Sequence, residues 1–471
     1  MPLKMLGKCS FCQKISWGMI FKLLIQQILT NDCNGDNLYT NVHVCMIEKS
    51  AAEVWGRRSF IKMAAAIQTA QDRYDIGFQN KEENNMLNFQ MYEKVKVVYG
   101  QGAIGQIGEL AKHIGASKAL IVADAGMVAT GTVDKVKKGL DNDQVPYVVY
   151  DKVTPNPLIS SVEEAYELCM KEGCDVIIGL GGGSNMDAAK GVSILMENPA
   201  PIMQYANGAK HFDCASEKLI MVPTTSGTGS EMSDGSILSD ENHIKQNFIS
   251  DEGAIAGYAV IDPELMAGMP PKLTAYTGID ALAHAVESYM GTLTNEFIGF
   301  YSEKIIDTIA EWLPIAVEDG SNMVAREKMA VAAAQAGFLL CYGHTCAGHS
   351  VGQTIGGYFN IPHGVACSYS LPPVLEFNAP VVPELVAYVG KAFGADIKDD
   401  DAPEVIGKKA KDALNDFVYN KCKMPSIKTY DYDESKFEEI AQVISEEFFQ
   451  QFNPRKMTAE DALKILKEMY A

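Results

Sequence analysis

Between residues 103 and 263 the chain repeats one pattern, and that pattern limits the fold more than any other feature. A short apolar run ends in a polar or glycine-rich break, and segments of helical periodicity lie between the runs. The runs are KALIVAD (118–124), VPYVVYD (145–151), CDVIIGLGGGS (174–184), KLIMVPTT (218–225) and GYAVIDP (257–263). The helical patterns are AIGQIGELAKHIG, TVDKVKKGLDN and SSVEEAYELCMKEG. A strand covered on both faces reads as a continuous apolar run, so the alternation predicts a parallel sheet in an α/β domain. Upstream, LNFQMYEKVKVVYG alternates and stops at glycine, which predicts an early strand over 88–99. After Pro270-Pro271 the texture turns helical, in LTAYTGIDALAHAVESYMG, EFIGFYSEKIIDTIAEWLPIAVED and VAREKMAVAAAQAGFLL. The second domain is therefore expected to be all-helical. Its last helix starts at Thr458, with Asp461 three residues on as an acidic form of the capping box.

Two loops stand at the ends of predicted strands. GLGGGSNMDAAKG (179–191) leaves one strand and opens a helix. Its glycines admit close backbone approach, and a helix N-terminus favours an anion such as pyrophosphate. A plain tight turn would use the same glycines. PTTSGTGSEMS (223–233) adds hydroxyls after the next strand, and two such loops point to one ligand crevice. Asp124 ends KALIVAD, where an acid accepts hydrogen bonds from an adenosine ribose and repels a 2′-phosphate. A surface acid is the bland alternative.

A second constellation lies in the helical half. TGIDALAHAVESY (277–289) places Asp280 and His284 four apart, on one helix face. That pair suits a divalent cation, or simply a solvated acid–imidazole contact. GHSVGQTIGGYFNIPHG (348–364) carries His349 and His363, two of the 8 histidines, with Gly356-Gly357 giving the chain room to turn between them. One Asp with three His suits Fe²⁺ or Zn²⁺ with a position left open for substrate.

The bulk numbers set limits around these sites. With 471 residues the chain is long enough for two or three cores. A formal charge of −20 argues against nucleic acid as a partner, because phosphate recognition needs a basic surface. No apolar run of 18 or more residues appears, so no membrane-spanning helix is expected. The 11 cysteines are an odd, scattered set, which suits a reducing compartment and a cytoplasmic enzyme. Residues 1–85 differ from the rest, with ten basic and eight acidic residues. They hold CSFC (9–12), a weak zinc pattern with Cys33, His43 and Cys45, and GRRSFIK (56–62), which resembles a twin-arginine signal. The apolar run after Lys62 is too short for an export signal. Residues 1–85 are expected to be a disordered leader or the result of a start codon placed too early. The expected domains are then 86–269 and 270–471.

Residues 86–471 resemble the iron-containing (group III) alcohol dehydrogenase family. The resemblance rests on GGGSNMDAAK, PTTSGTGSE, AVIDPELMAGMPP, TGIDALAHAVESY and GGYFNIPHG, in that order. It implies a Rossmann-like dinucleotide-binding domain followed by a helical metal-binding domain, a dehydroquinate synthase-like architecture with the active site between them. By resemblance, Asp280, His284, His349 and His363 are the metal ligands. Gly181, Gly182, Gly183 and Ser184 form the pyrophosphate loop, with Asp187 in the same motif. Thr224, Thr225 and Thr228 form the second cofactor loop. Asn156 and Lys245 lie near the cofactor, and Asp124 sets a preference for NAD over NADP. The implied metal is Fe²⁺, with Zn²⁺ as the alternative. The implied reaction is reversible hydride transfer between nicotinamide and a small primary alcohol or diol, in a homodimer. One position departs from the family: Gln353 stands where a histidine near the nicotinamide is expected. Glutamine forms hydrogen bonds but does not titrate near neutrality. Rival readings are a glycerol dehydrogenase or dehydroquinate synthase-like lyase on the same fold, or a non-catalytic metal or nucleotide binder. The lyase would need basic residues for a phosphorylated substrate, and the metal motifs have none beside them.

Overall fold

The structure is a computed structural model that describes residues 89–242, 244–249 and 253–471. Every element below lies in the compact unit Met91–Ala471. CSFC, the twin-arginine-like stretch and the rest of 1–85 lie outside the described residues.

The first part runs β1 (Lys96–Tyr99), α1 (Ile107–His113), β2 (Ala119–Val122), α2 (Ala125–Ala129), α3 (Thr132–Asn142), β3 (Tyr147–Tyr150), α4 (Ile159–Glu172), β4 (Val176–Gly181), α5 (Gly183–Glu197), β5 (Leu219–Pro223), β6 (Ser236–Ser239), β7 (Lys245–Phe248) and β8 (Tyr258–Ile261). Six strands form one sheet in the order β1-β8-β5-β4-β2-β3, every pair parallel. Alternate residues divide between its faces. Leu120, Ile177, Leu219 and Met221 pack in one core with α4 and α5, while Ile121, Ile178, Ile220 and Val260 pack in another with α1 and α3. Each buried Leu, Ile or Val contributes about 1.5–3 kcal/mol, which explains why these runs carry no polar alternation.

The five apolar runs are strands, as expected. The early strand is shorter than expected, covering Lys96–Tyr99 rather than 88–99. Its partner β8 spans only Tyr258–Ile261, so residues before Lys96 have no ladder to join. The antiparallel hairpin β6–β7 is an addition that the sequence pattern did not lead one to expect.

Strand order reverses between β2 and β4: the chain leaves β2 toward β3 on one side and returns to β4 on the other. The carboxyl ends on either side of such a reversal open the crevice in which α/β sheets bind ligands. Asp124 follows β2 there, the glycine loop follows β4, and the threonine loop follows β5.

The second part is helical: α6 (Pro271–Met290), α7 (Glu296–Glu318), α8 (Met323–Leu340), α9 (Ala347–Phe359), α10 (His363–Asn378), α11 (Pro383–Ala392), α12 (Pro403–Asp416), α13 (Phe437–Glu446) and α14 (Ala459–Met469). Pro271 opens α6 at a position where the missing N–H costs nothing. From Thr277 to Met290 every residue of α6 is buried, so it forms the axis of this half. Thr458 and Asp461 cap α14 reciprocally, as read from the sequence. Among the described residues, no helix is long and apolar enough to cross a membrane.

Candidate metal and cofactor site

Three side chains of metal-ligating type lie in the buried stretch of α6 at a spacing of four and then three: Asp280, His284 and Glu287. On a helix these form one stripe. Helix α9 brings His349 and Gln353 to that stripe, one turn apart, and α10 brings His363 in its first turn. The reversal between α9 and α10 is made by Asn360, which holds a left-handed φ of 51°. The expectation for Gly356-Gly357 holds for Gly356 and fails for Gly357. Both lie within α9, where Gly356 lets the Ile361 carbonyl return close by and Gly357 meets open space.

His349 and His284 stack at 4.8 Å between ring centroids, and His363 lies 5.3 Å from His349. The Asp280 carboxylate is 3.9 Å from His349 Nε2 and 3.6 Å from His363 Nε2. Asp280 Oδ1, His284 Nδ1 and His349 Nε2 are buried without a hydrogen-bond partner. Each such atom costs about 1–3 kcal/mol unless something answers it. Asp280, His349 and His363 each offer one ligand atom within 4.8 Å of the others, with His284 stacked beside them, a donor set for a divalent cation that fits the iron or zinc expected from the sequence. Burial raises the Asp280 carboxyl to about 6 and pushes the His284 and His363 imidazoles well below their ordinary value. Neutral imidazole is the form that ligates metal. His349 differs: burial lowers it, but Cys367 and Glu287 outweigh burial and raise it well above its ordinary value.

Two residues at this site went unread in the sequence. Glu287 is fully buried and accepts from His349 Nδ1 at 2.7 Å, Cys346 N at 2.7 Å and His349 N at 3.1 Å. Burial alone would raise its carboxyl, but His349 and the two backbone donors hold it below the usual range. Gly348 makes room for it, since a Cβ there would lie 2.5 Å from Glu287 Oε1. Cys367, one turn after His363, places its Sγ 3.7 Å from His363 Nε2. The signals were present as D-x₃-H-x₂-E in α6 and H-x₃-C in α10.

A cavity of about 210 Å³ opens beside these side chains, and Asp280, His284, His349, His363 and Gln353 line it. Six expected cofactor residues line it too: Asn156, Gly183, Ser184, Asp187, Thr228 and Lys245. Asn156 reaches it from a left-handed turn, φ 53°. Lys245 comes from β7, and burial lowers its ammonium. Asp187 also ties α5 to the threonine loop and to β6, because its oxygens accept from Ser230 Oγ at 2.7 Å and Ile237 N at 3.0 Å. His344 faces the cavity as well, but its ring packs on Phe452 at 4.6 Å rather than among the other histidines.

The remaining expected cofactor residues sit just outside that lining, at the sheet's carboxyl edge. Gly181 has a φ of 140° and must lack a Cβ, because one would lie 1.9 Å from Asn185 Nδ2. Asn185 uses that space to donate to Asp124 at 2.6 Å and to Leu180 O at 3.0 Å, linking the ends of β2 and β4. Asp124 also caps α2 through Met127 N. Thr224 N donates to Gly181 O at 2.9 Å, joining the two loops. Gly182 is the N-cap of α5 and offers no side-chain cap, which leaves the first N–H groups of that helix for an anion. Thr225 Oγ1, 3.6 Å from where a Gly182 Cβ would stand, is buried without a partner. The loops therefore fit a dinucleotide pyrophosphate.

A parallel sheet with an anion-ready loop at its reversal, joined to a helical half carrying an Asp–His cluster, fits a dinucleotide and a divalent cation held close together. The family "Iron-containing alcohol dehydrogenase" matches residues 94–263, and "Fe-containing alcohol dehydrogenase family, C-terminal" matches 274–470. The chain belongs to the iron-containing alcohol dehydrogenase family. It is an oxidoreductase that uses NAD and a metal, iron in this family, to interconvert alcohols and aldehydes. Among relatives, the choline dehydrogenase of Bacillus subtilis (strain 168) is 37% identical over 67% of this chain and 80% of its own length. The NAD-dependent methanol dehydrogenase of Bacillus methanolicus is 30% identical over 79% of this chain and 97% of its own. Among solved structures, an alcohol dehydrogenase from Oenococcus oeni aligns with a TM-score of 0.76 at 33% identity, covering 81% of this chain and all of that one.

Proposed function

We propose that the enzyme interconverts small primary alcohols or diols and their aldehydes in this cavity, with Asp280, His284, His349 and His363 as metal ligands. The supporting observation is the convergence of Asp280, His349 and His363, with ligand atoms within 4.8 Å of one another, on a cavity also lined by His284 and the N-terminus of α5. When bound, the metal supplies Lewis acidity toward the substrate oxygen, and nicotinamide supplies or takes the hydride. Glu287 holds the His349 ring with Nε2 toward Asp280. Gly181, Gly182, Gly183 and Ser184 with Thr224, Thr225 and Thr228 orient the dinucleotide, and Asn156 and Lys245 bound its reactive end. Asp124 favours NAD over NADP by repelling a 2′-phosphate. Gln353 donates or accepts a hydrogen bond at the substrate but carries no proton away, so the proton leaves through water or a ribose hydroxyl.

The proposed domains are 86–269 for the nucleotide and 270–471 for the metal, with 1–85 as an extension. The assembly is proposed to be a cytoplasmic homodimer joined along β1. That edge strand leaves Val97 and Tyr99 each 44% exposed, and the described cysteines are all free. Oxidation of NADH on adding short aldehydes, lost with a chelator and regained with Fe²⁺ or Zn²⁺, tests the reaction. Sedimentation of the enzyme with and without residues 1–85 tests the assembly.

A further inference from the structure

We propose that Cys367 is a ligand of the metal, so that the ion is held by a mixed oxygen, nitrogen and sulfur set. This rests on the metal-site reading above and extends it. Cys367 lies four residues after His363 on α10, on the same helix face, and is fully buried. One donor atom from each of Asp280, His349, His363 and Cys367 can be chosen so that all four lie within 4.8 Å of one another.

Three of the spacings lie close to what one ion demands, in a group whose four ligand atoms are all within 4.8 Å of one another. Tetrahedral bonds of about 2.0–2.3 Å set donor–donor edges of about 3.3–3.8 Å. His363 Nε2 lies 3.6 Å from Asp280 Oδ1 and 3.7 Å from Cys367 Sγ, and His349 Nε2 lies 3.9 Å from Asp280 Oδ1. His284 stands outside this four-atom set, stacked against His349. The ion therefore has five side chains to draw on. A lone buried cysteine would say little by itself. Here the unpartnered Asp280 Oδ1 and His349 Nε2 belong to the same cluster.

Ligation has defined chemistry. The S–H bond breaks as sulfur bonds the metal, and the proton passes to solvent; nothing is oxidised or reduced. A thiolate beside the Asp280 carboxylate neutralises a dication, where four ligands with Asp280 alone would leave one positive charge. Sulfur is also the softest donor in the set, and it shifts preference from Fe²⁺ toward Zn²⁺.

The test is to load the metal-free full chain with Co²⁺ and record its absorption. The expected native spectrum holds visible d–d bands and a near-ultraviolet sulfur-to-cobalt charge-transfer band. Cys367→Ser should keep the d–d bands and lose the charge-transfer band, and its Zn²⁺-to-Fe²⁺ affinity ratio should fall at least tenfold. Stoichiometric cobalt with d–d bands but no sulfur band in the native enzyme overturns ligation by Cys367 and leaves the metal-site reading standing. A sulfur band that persists in Cys367→Ser does the same. Failure of the native enzyme to take up stoichiometric cobalt overturns both. The native spectrum decides without any variant, so poor folding of the serine form cannot hide the answer.

Discussion

Glu287→Gln is a small change with a forced consequence. The carboxylate now accepts from three donors: His349 Nδ1 on Oε1, and the Cys346 and His349 amides on Oε2. An amide keeps one acceptor oxygen and turns the other side into a donor. If the NH₂ faces the two backbone amides, donors oppose donors in a fully buried place, at about 1–3 kcal/mol. If it faces His349, the ring must accept at Nδ1 and carry its proton on Nε2, the nitrogen turned toward Asp280. A protonated Nε2 cannot ligate. Loss of such a supporting partner lowers metal affinity about 10–100-fold, equivalent to about 1.4–2.8 kcal/mol. Competition for Zn²⁺ against a chromophoric chelator, on native and variant enzyme with matched circular dichroism, measures this. A variant affinity within twofold of native would refute the role given to Glu287.

Four further outcomes follow from the same geometry. Gly348→Ala places a methyl 2.5 Å from Glu287 Oε1 and should lower metal occupancy after dialysis; full occupancy would contradict the need for space there. Burial raises the Glu231 carboxyl from 4.5 to about 7, so the folded state holds that proton more tightly than the unfolded chain. Its contribution is therefore full below the unfolded value and declines by about 3 kcal/mol as pH rises through the folded one; Glu231→Gln should flatten the fall of the urea midpoint over that range, and an unchanged slope would count against it. Asp124→Ser should raise kcat/KM with NADPH relative to NADH at least tenfold, and an unmoved ratio would remove Asp124 from cofactor choice. Gln353→His introduces a titratable group at the cavity and should alter the pH profile of turnover; an identical profile argues against any role in proton exchange.

The sheet was legible because a parallel strand buried on both faces cannot hide its apolar run, as in VIIGLG of β4. The β6–β7 hairpin was not, because SILS and KQNF are four residues each, with two and three polar residues respectively, so they blend with the loop around them. Strand β1 was read too long because its length is set by β8, far along the chain. At the site, Asp280, His284, His349 and His363 stood out as rare residue types in apolar helices and through the family resemblance. Glu287 looked like an ordinary helix acid until α9 folded over it and supplied three donors. Cys367 looked like a core cysteine until α10 was seen to start at His363 and carry both on one face. The turn centres on Asn360, and Asn followed two residues on by Pro362 is a helix-stop pattern that went unread.

If Asp280 and the three histidines hold the metal on which turnover depends, metal content and activity must move together. Both are to be measured, the activity as aldehyde-dependent NADH oxidation, on native enzyme, on enzyme stripped with a chelator, and on stripped enzyme reloaded with Fe²⁺ or Zn²⁺. The expected result is activity that disappears with the metal and returns in proportion to the metal restored, with no recovery in Asp280→Asn or His363→Ala. Undiminished turnover by the stripped enzyme, or full recovery in either variant, would contradict that assignment.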